Sequence, residues 1–386
     1  MADTLEYKCP NCNGGLLFDN KLQKMKCPYC DSEFDVEALK EYDNELNEAK
    51  KPEAGESAGG NNQTQSAEPV EQASDADNLD NSSNEAQWED SDNMVVYYCK
   101  SCGGEIIGEK TMAATECPYC GNPVVIMDAF KGELKPNLVI PFKLDKEEAK
   151  SRLQAHYKGK ILLPSVFKEK NHIDEIKALY VPFWLYDAKV DANITYKGTK
   201  IRTWESGDYR YTETSYYKVE RAGSIAFDKV PVDGSSKMPN DLMESIEPYD
   251  YKDAVDFQTA YLSGYLANKY DEDAEACVPI ANTRIKQSTE DNFRNTVSGY
   301  SSVTCENSSV TFADEESQYA MLPVWILNTS WNGEDFLFAM NGQTGKFVGD
   351  LPVDKSKAVK LFFIIFILTS VISFLLVYFI MFGVGV

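Results

Sequence analysis

Two stretches near the start decide how this chain is built: Cys9-Pro10-Asn11-Cys12 with Cys27-Pro28-Tyr29-Cys30, and Cys99-Lys100-Ser101-Cys102 with Cys117-Pro118-Tyr119-Cys120. Both read C-x2-C, fourteen residues, C-x2-C. Each supplies four thiolates, the ligand set of a closed tetrahedral site for structural zinc. The rival metal is iron in a rubredoxin-like centre, since tetrahedral thiolate sites suit it too. Zinc is preferred, because a small duplicated ribbon needs no redox role. A closed site keeps no position for water, so neither metal is expected to be catalytic. At an offset of 90 residues, Gly14 meets Gly104, Leu16 and Leu17 meet Ile106 and Ile107, and Pro28-Tyr29 meets Pro118-Tyr119. The match extends beyond the cysteines and indicates a duplicated module. A ribbon of this size buries little apolar surface, so metal binding must supply much of its folding free energy, on the order of 10 kcal/mol.

Working outward, the chain is expected to be multidomain. Residues 1–35 form the first ribbon. Residues 36–50 read as a short helix, with Val36, Leu39, Tyr42, Leu46 and Ala49 near helical spacing. Residues 51–93 read as a disordered acidic linker: positions 52–93 hold eleven carboxylates and no Lys or Arg. Residues 94–130 form the second ribbon; the flexible linker is expected to let the two ribbons search for partners near the membrane, with the α+β domain holding the main docking face. Residues 134–352 read as an α+β domain. There Asp145 and Glu148 form a capping box for a helix running to Tyr157. Strands are expected over 179–196 and 209–219, and a helix over 253–270, where Ala254, Phe257, Tyr261, Leu262, Tyr265 and Leu266 recur. A hairpin comes next over 322–331 and 336–340 around Asn332-Gly333. A second turn at 341–345 leads into a strand at 346–348.

The amino terminus carries no apolar run, so no secretory signal is expected. The other end differs. No charge occurs from Leu361 to Val386, long enough to cross the roughly 30 Å hydrocarbon layer as a helix. Residues 361–383 are therefore expected to span the membrane and 353–360 to form a basic juxtamembrane segment. Lys355, Lys357 and Lys360 place the bulk of the chain in the cytoplasm as a tail-anchored protein.

Charge limits the function classes. The 386 residues hold 38 Lys and Arg against 61 Asp and Glu, a net charge of -23. Phosphate backbones are bound chiefly by neutralising cations, so nucleic-acid binding is disfavoured. Around the first ribbon, Lys8, Lys21, Lys24 and Lys26 face a larger set of acids. A third class, a hydrolase, lacks a recognisable constellation. Gly342 to Lys346 mimics a phosphate loop but lacks the following Ser or Thr and lies between strands. His156 and His172 have no ligand-spaced partners, and Asp187, Asp191 and Asp228 are isolated in the sequence. Cys277 and Cys305 fall outside the quartets and read as reduced thiols. Arg202, Arg210 and Arg221 near Trp204, Tyr209 and Tyr211 leave a single-strand platform open.

The two CPxC ribbons precede YVPFWLYDA (180–188), KVPVDGS (229–235), SIEPYD (245–250), YLSGYLANKYD (261–271), LPVW (322–325) and AMNGQTGKFVGDLP (339–352). This order resembles the bacterial TFIIB-type zinc-ribbon membrane proteins, the YdjG-like group, whose members often carry primosomal or helicase-like labels. This chain has neither a Walker loop nor helicase motifs. The resemblance implies a membrane-anchored partner of flotillin-like and phage-shock-type proteins, and no catalytic residues. The expected function is a non-enzymatic zinc-ribbon adaptor holding two Zn2+ ions. The alternative is a membrane-tethered, nucleic-acid-binding replication or transcription protein.

Overall fold

The computed structural model describes residues 4–39, 94–120, 122–126, 135–169 and 173–382. Of the helix expected over 36–50, only 36–39 are described, and they are helical. The acidic linker and His172 lie outside the described residues.

Each ribbon is a set of short antiparallel strands. The first holds β1 (Thr4–Leu5), β2 (Leu17–Asp19), β3 (Lys24–Lys26) and β4 (Glu33–Phe34), with β2-β3-β4 as a three-stranded sheet. Leu16 and Met25 are fully buried in its small core. The second holds the hairpin β5 (Met94–Tyr98) and β6 (Glu105–Glu109), then β7 (Met112–Glu116) and β8 (Pro123–Ile126).

The rest of the chain begins with β9 (Leu138–Val139) and helix α1 (Lys146–Tyr157). The capping box closes as expected: Glu148 N–H donates to Asp145 at 2.7 Å, and Asp145 N–H donates to Glu148 at 3.0 Å. Three long strands dominate the large domain: β10 (Lys177–Ser206), β11 (Tyr209–Asp233) and β14 (Ser302–Trp331). Between them lie α2 (Asn240–Ser245), β12 (Val255–Asp256), β13 (Leu266–Asn268) and α3 (Ala274–Asn295). β15 (Glu334–Asn341) and β16 (Phe347–Val348) complete the sheet. The expected hairpin is present, with Trp325 opposite Met340.

One sheet of eleven strands joins almost everything. Its order is β1-β8-β7-β13-β10-β14-β15-β16, with β11 also on β10 and the β9–β12 pair beside β14. Its core is aromatic: Phe142 stacks on Tyr265 at 4.6 Å and meets Tyr180 and Trp325 edge-on. Phe167, Phe338 and Tyr157 form a second knot.

Two expectations require correction, and one long helix was not expected. The 253–270 stretch is not a helix but two 3-10 turns with β12 and β13. Gly264 sits at φ +89°, a conformation no helix contains. Backbone groups there bond elsewhere, as when Phe257 N–H donates to Asn137 O. The long helix is instead α3, whose buried stripe of Cys277, Ala281, Ile285, Thr289 and Phe293 has i, i+4 spacing but mixes small and polar side chains. Finally, the ribbons do not hang free on a tether. β1 and β8 pair with each other, and β7 pairs with β13, which is parallel to β10.

Helix α4 (Lys355–Phe382) ends the described chain. Beyond Lys360 it carries no charged residue, and its apolar window buries nothing against the rest of the protein. Its 28 residues are about 42 Å long at ~1.5 Å each, enough to cross a bilayer. Its start is fixed: Asp354 N–H donates to Leu162 O, and Lys357 Nζ donates to Leu163 O at 2.7 Å.

Candidate metal centres

The four-cysteine groups form because each C-x2-C closes a tight knuckle. Cys9 N–H donates to Gly14 O at 2.7 Å and Asn13 N–H donates to Cys9 O at 2.8 Å. The same bonds recur from Cys27 to Ser32, with Asp31 in place of Asn13, and from Cys99 to Gly104, with Gly103. Asn13, Asp31 and Gly103 have φ of 62°, 56° and 74°. Asn, Asp and Gly are the residues that tolerate this left-handed region, so the knuckle geometry is written one position after each of these pairs.

The repeated glycines have a geometric reason. A Cβ on Gly14 would lie 2.4 Å from the Tyr29 ring, and one on Gly104 would lie 2.5 Å from Tyr119. Each ribbon thus packs the tyrosine of its second knuckle across the glycine behind its first.

In each quartet the four Sγ atoms lie within 4.8 Å of one another. Cys9 and Cys30 are 3.6 Å apart and Cys12 and Cys27 are 3.3 Å apart. In the second quartet, Cys99–Cys120 and Cys102–Cys117 both measure 3.7 Å. A tetrahedron with Zn–S of about 2.3 Å has edges of about 3.8 Å, so the donor sets fit two structural zinc ions. The first cysteine of each pair is buried and the second exposed, in both quartets. All eight predicted ligands are therefore brought together as two sets of four.

Four thiols this close cannot all ionise without a cation between them. The Ser32 hydroxyl and amide pull Cys30 down to about 6. Burial pushes Cys117 up, but the amides of Cys120 and Tyr119 outweigh it and leave the thiol at about 7. Bound zinc supplies the charge that lets all four act as thiolates.

The surroundings contain residues the cysteine spacing does not reveal. Glu6 belongs to the first ribbon, yet its side chain is 4% exposed and lies against the second quartet. Its carboxylate accepts Ser101 N–H at 3.0 Å and the Ser101 hydroxyl, and sits 3.2 Å from Cys99 Sγ. On the other side, the first ribbon grips the large domain. Phe18 N–H donates to Ser263 O at 3.0 Å, and Ser263 Oγ donates to Leu16 O at 2.6 Å. The Tyr7 and Thr259 hydroxyls meet at 2.7 Å, and Phe18 packs edge-on against Tyr261. No local sequence signal could have identified these partners, which lie 93 to 252 positions away.

The first ribbon's lysines are all matched to carboxylates: Lys24 to Asp35 at 3.2 Å, Lys26 to Asp31 at 3.3 Å, Lys8 to Glu6 at 4.0 Å, and Lys21 to Asp145. They present no spare cationic stripe to a phosphate backbone.

The other sequence candidates are not brought into one site. His156 packs on Phe347 at 4.6 Å, and burial lowers its pKa. Asp187 accepts Lys229 N–H, Asp191 accepts the Ser224 hydroxyl, and Asp228 pairs with Lys229. Cys277 is buried and donates to Asp233 O, while Cys305 is exposed; both are free thiols. The glycines of 342–345 sit in a turn where Asn341 accepts the N–H groups of Gln343 and Thr344, each at 2.9 Å.

No protein-family model and no solved structure matches the chain. The uncharacterized protein YdjG of Bacillus subtilis (strain 168) is 31% identical over 353 residues, covering 92% of this chain and 92% of that protein. On that full-length similarity, the chain belongs to the YdjG family.

Proposed function

We propose that this protein is a non-enzymatic, membrane-anchored adaptor whose two TFIIB-type zinc ribbons are parts of its scaffold. The observation that carries this is the closure of both quartets together with their attachment to the main sheet. Eight thiols are spent on two four-coordinate sites, and a closed site offers a substrate no position on the metal. Ribbon strands β1, β7 and β8 belong to the eleven-stranded sheet that runs through the large domain. What remains outward is surface for other proteins.

The apolar helix α4 would hold this scaffold at a bilayer as a single-pass tail anchor. Lys355, Lys357 and Lys360 before it favour a cytoplasmic location for the bulk. Flotillin-like and phage-shock-type membrane-stress proteins are the partners the family resemblance suggests. The rival, a tethered nucleic-acid binder, is disfavoured by the paired lysines of the first ribbon and the net charge of -23.

The test is photo-crosslinking in native membranes, with identification of the adducts. The adaptor reading expects membrane-associated proteins. Recovery of polymerase or primosome components with DNA, and no membrane proteins, would overturn it. A filter titration with oligonucleotides at low salt provides the complement: micromolar, steeply salt-dependent binding would favour the rival.

A further inference from the structure

β10, β11 and β14 form a long antiparallel arm that outruns the rest of the sheet. β14 begins at Ser302, opposite Thr199, so residues 200–206 and 209–215 continue as a two-stranded tip. One face of the arm is buried near its root, where Ile194, Tyr196 and Val219 lie under Phe293 of α3. α3 ends at Asn295, and Tyr300 then covers Gly198. Beyond it the same face is open. Its cross-strand pairs are Lys200–Ser215, Arg202–Glu213, Trp204–Tyr211 and Ser206–Tyr209.

The open face is built of large amphipathic side chains. Trp204 and Tyr211 stack at 5.6 Å and are 42% and 46% exposed, and Tyr209 is 72% exposed. Arg202 lies 5.6 Å over Trp204, and Lys200 lies over both Tyr217 and Tyr300. On the reverse face Lys197 lies 4.7 Å over Tyr216. These three cations rest on rings and make no ion pair among the described residues, in a chain with 61 acids. Residues 197–218 carry five Lys or Arg against three Asp or Glu, the reverse of the chain as a whole. Trp, Tyr and Arg are the side chains that dominate protein-interface hot spots. Over the tip, the outer edge of β11 pairs with no strand among the described residues, so that edge is open to an added strand.

Resting on the adaptor reading, we infer that the arm tip is the docking surface for an acidic, extended segment of a partner protein. Its carboxylates pair with Lys200 and Arg202, its apolar side chains cover Trp204, Tyr209 and Tyr211, and its backbone pairs along β11. A single-stranded nucleic acid fits less well, because it has no peptide backbone to pair along the open edge of β11. The anchoring bilayer fits less well too. α4 starts beside Leu162 and Leu163, near the root of β10, whereas the tip is the far end of a 30-residue strand about 100 Å long.

The probe is a labelled peptide of about ten residues alternating Glu with Val, titrated by fluorescence anisotropy against the full chain in detergent. Micromolar binding is expected, weakened about tenfold or more in K200E/R202E and in W204A, with unchanged thermal midpoints. Equal binding to wild type and variants would overturn the proposal. So would tighter, tip-dependent binding of a thymidine oligonucleotide or an anionic vesicle, or tip-dependent self-association by light scattering. Photo-crosslinkers at Tyr209 and Tyr119 separate this from the broader reading. A net-acidic protein segment crosslinked at Tyr209 supports the tip. Protein adducts at Tyr119 alone leave the adaptor standing and remove the tip as its docking site.

Discussion

Replacing Gly264 with alanine should loosen the first ribbon from the large domain and release its zinc faster. Gly264 comes directly after Ser263, which holds both Leu16 and Phe18, and has φ +89°. An L-residue in the left-handed region costs about 1–2 kcal/mol. The new Cβ would also lie 2.9 Å from Leu17 Cδ2, so that methyl must move, adding about 1 kcal/mol. The sum, about 2–3 kcal/mol, corresponds to about a 30- to 150-fold change in an equilibrium. Gly159→Ala is the control: its φ is +78° but nothing lies within 4 Å of its Cβ, so it bears the backbone cost away from the ribbons. The assay is zinc transfer to a chromogenic chelator from the full chain in detergent. In Gly264→Ala, one of two zinc ions should transfer about 30-fold faster or more, while Gly159→Ala matches wild type. Equal transfer from the two variants would refute the idea that docking on Ser263 and Gly264 protects the first site.

Four further outcomes are expected. Phe338→Ala, which empties a fully buried position between Phe167 and Tyr157, should cost about 3–5 kcal/mol in denaturant unfolding. Burial raises Asp233 to about 8, so the folded state holds a proton that the unfolded state releases near 4; stability should fall as pH rises from about 4 to 8, and Asp233→Asn should flatten that slope in thermal melts. Glu6→Ala removes the acceptor of Ser101 N–H beside Cys99, so the second site should lose zinc faster while the first keeps its rate in the chelator assay. Truncation before Leu361 should move the protein from the membrane fraction to the supernatant on ultracentrifugation.

Legibility from sequence tracked the range of the interactions. Both cysteine quartets could be read, though not neighbours such as Glu6, because a C-x2-C knuckle is local and its geometry is set by adjoining residues such as Asn13 and Asp31. The helix at Lys146–Tyr157 was equally readable, since a capping box spans four residues. The apolar end was readable from length and composition alone. The 253–270 region misled because its apolar side chains reach three different packing groups, while its spacing imitates one helical face. α3 escaped notice because Pro279 interrupts its pattern and its buried stripe holds Cys277, Ala281 and Thr289 instead of large apolar residues. The joining of the ribbons to the sheet was unreadable for a stronger reason. Pairings such as Thr4 with Ile126 and Ala267 with Ala114 link distant segments, and two-residue strands leave no periodic trace. The arm was half legible: its alternating tyrosines marked strands, but only the end of α3 decides where its buried face becomes an exposed one.

The most direct measurement is the metal content of the purified full-length chain by native mass spectrometry, with the protein expressed where zinc and iron are both available. Two zinc ions per chain are predicted, falling to one when Cys12 and Cys30 are both replaced by serine and to one when Cys102 and Cys120 are replaced. Iron in either site, or a folded wild-type chain carrying fewer than two metal ions, would contradict the assignment of both quartets as structural zinc centres.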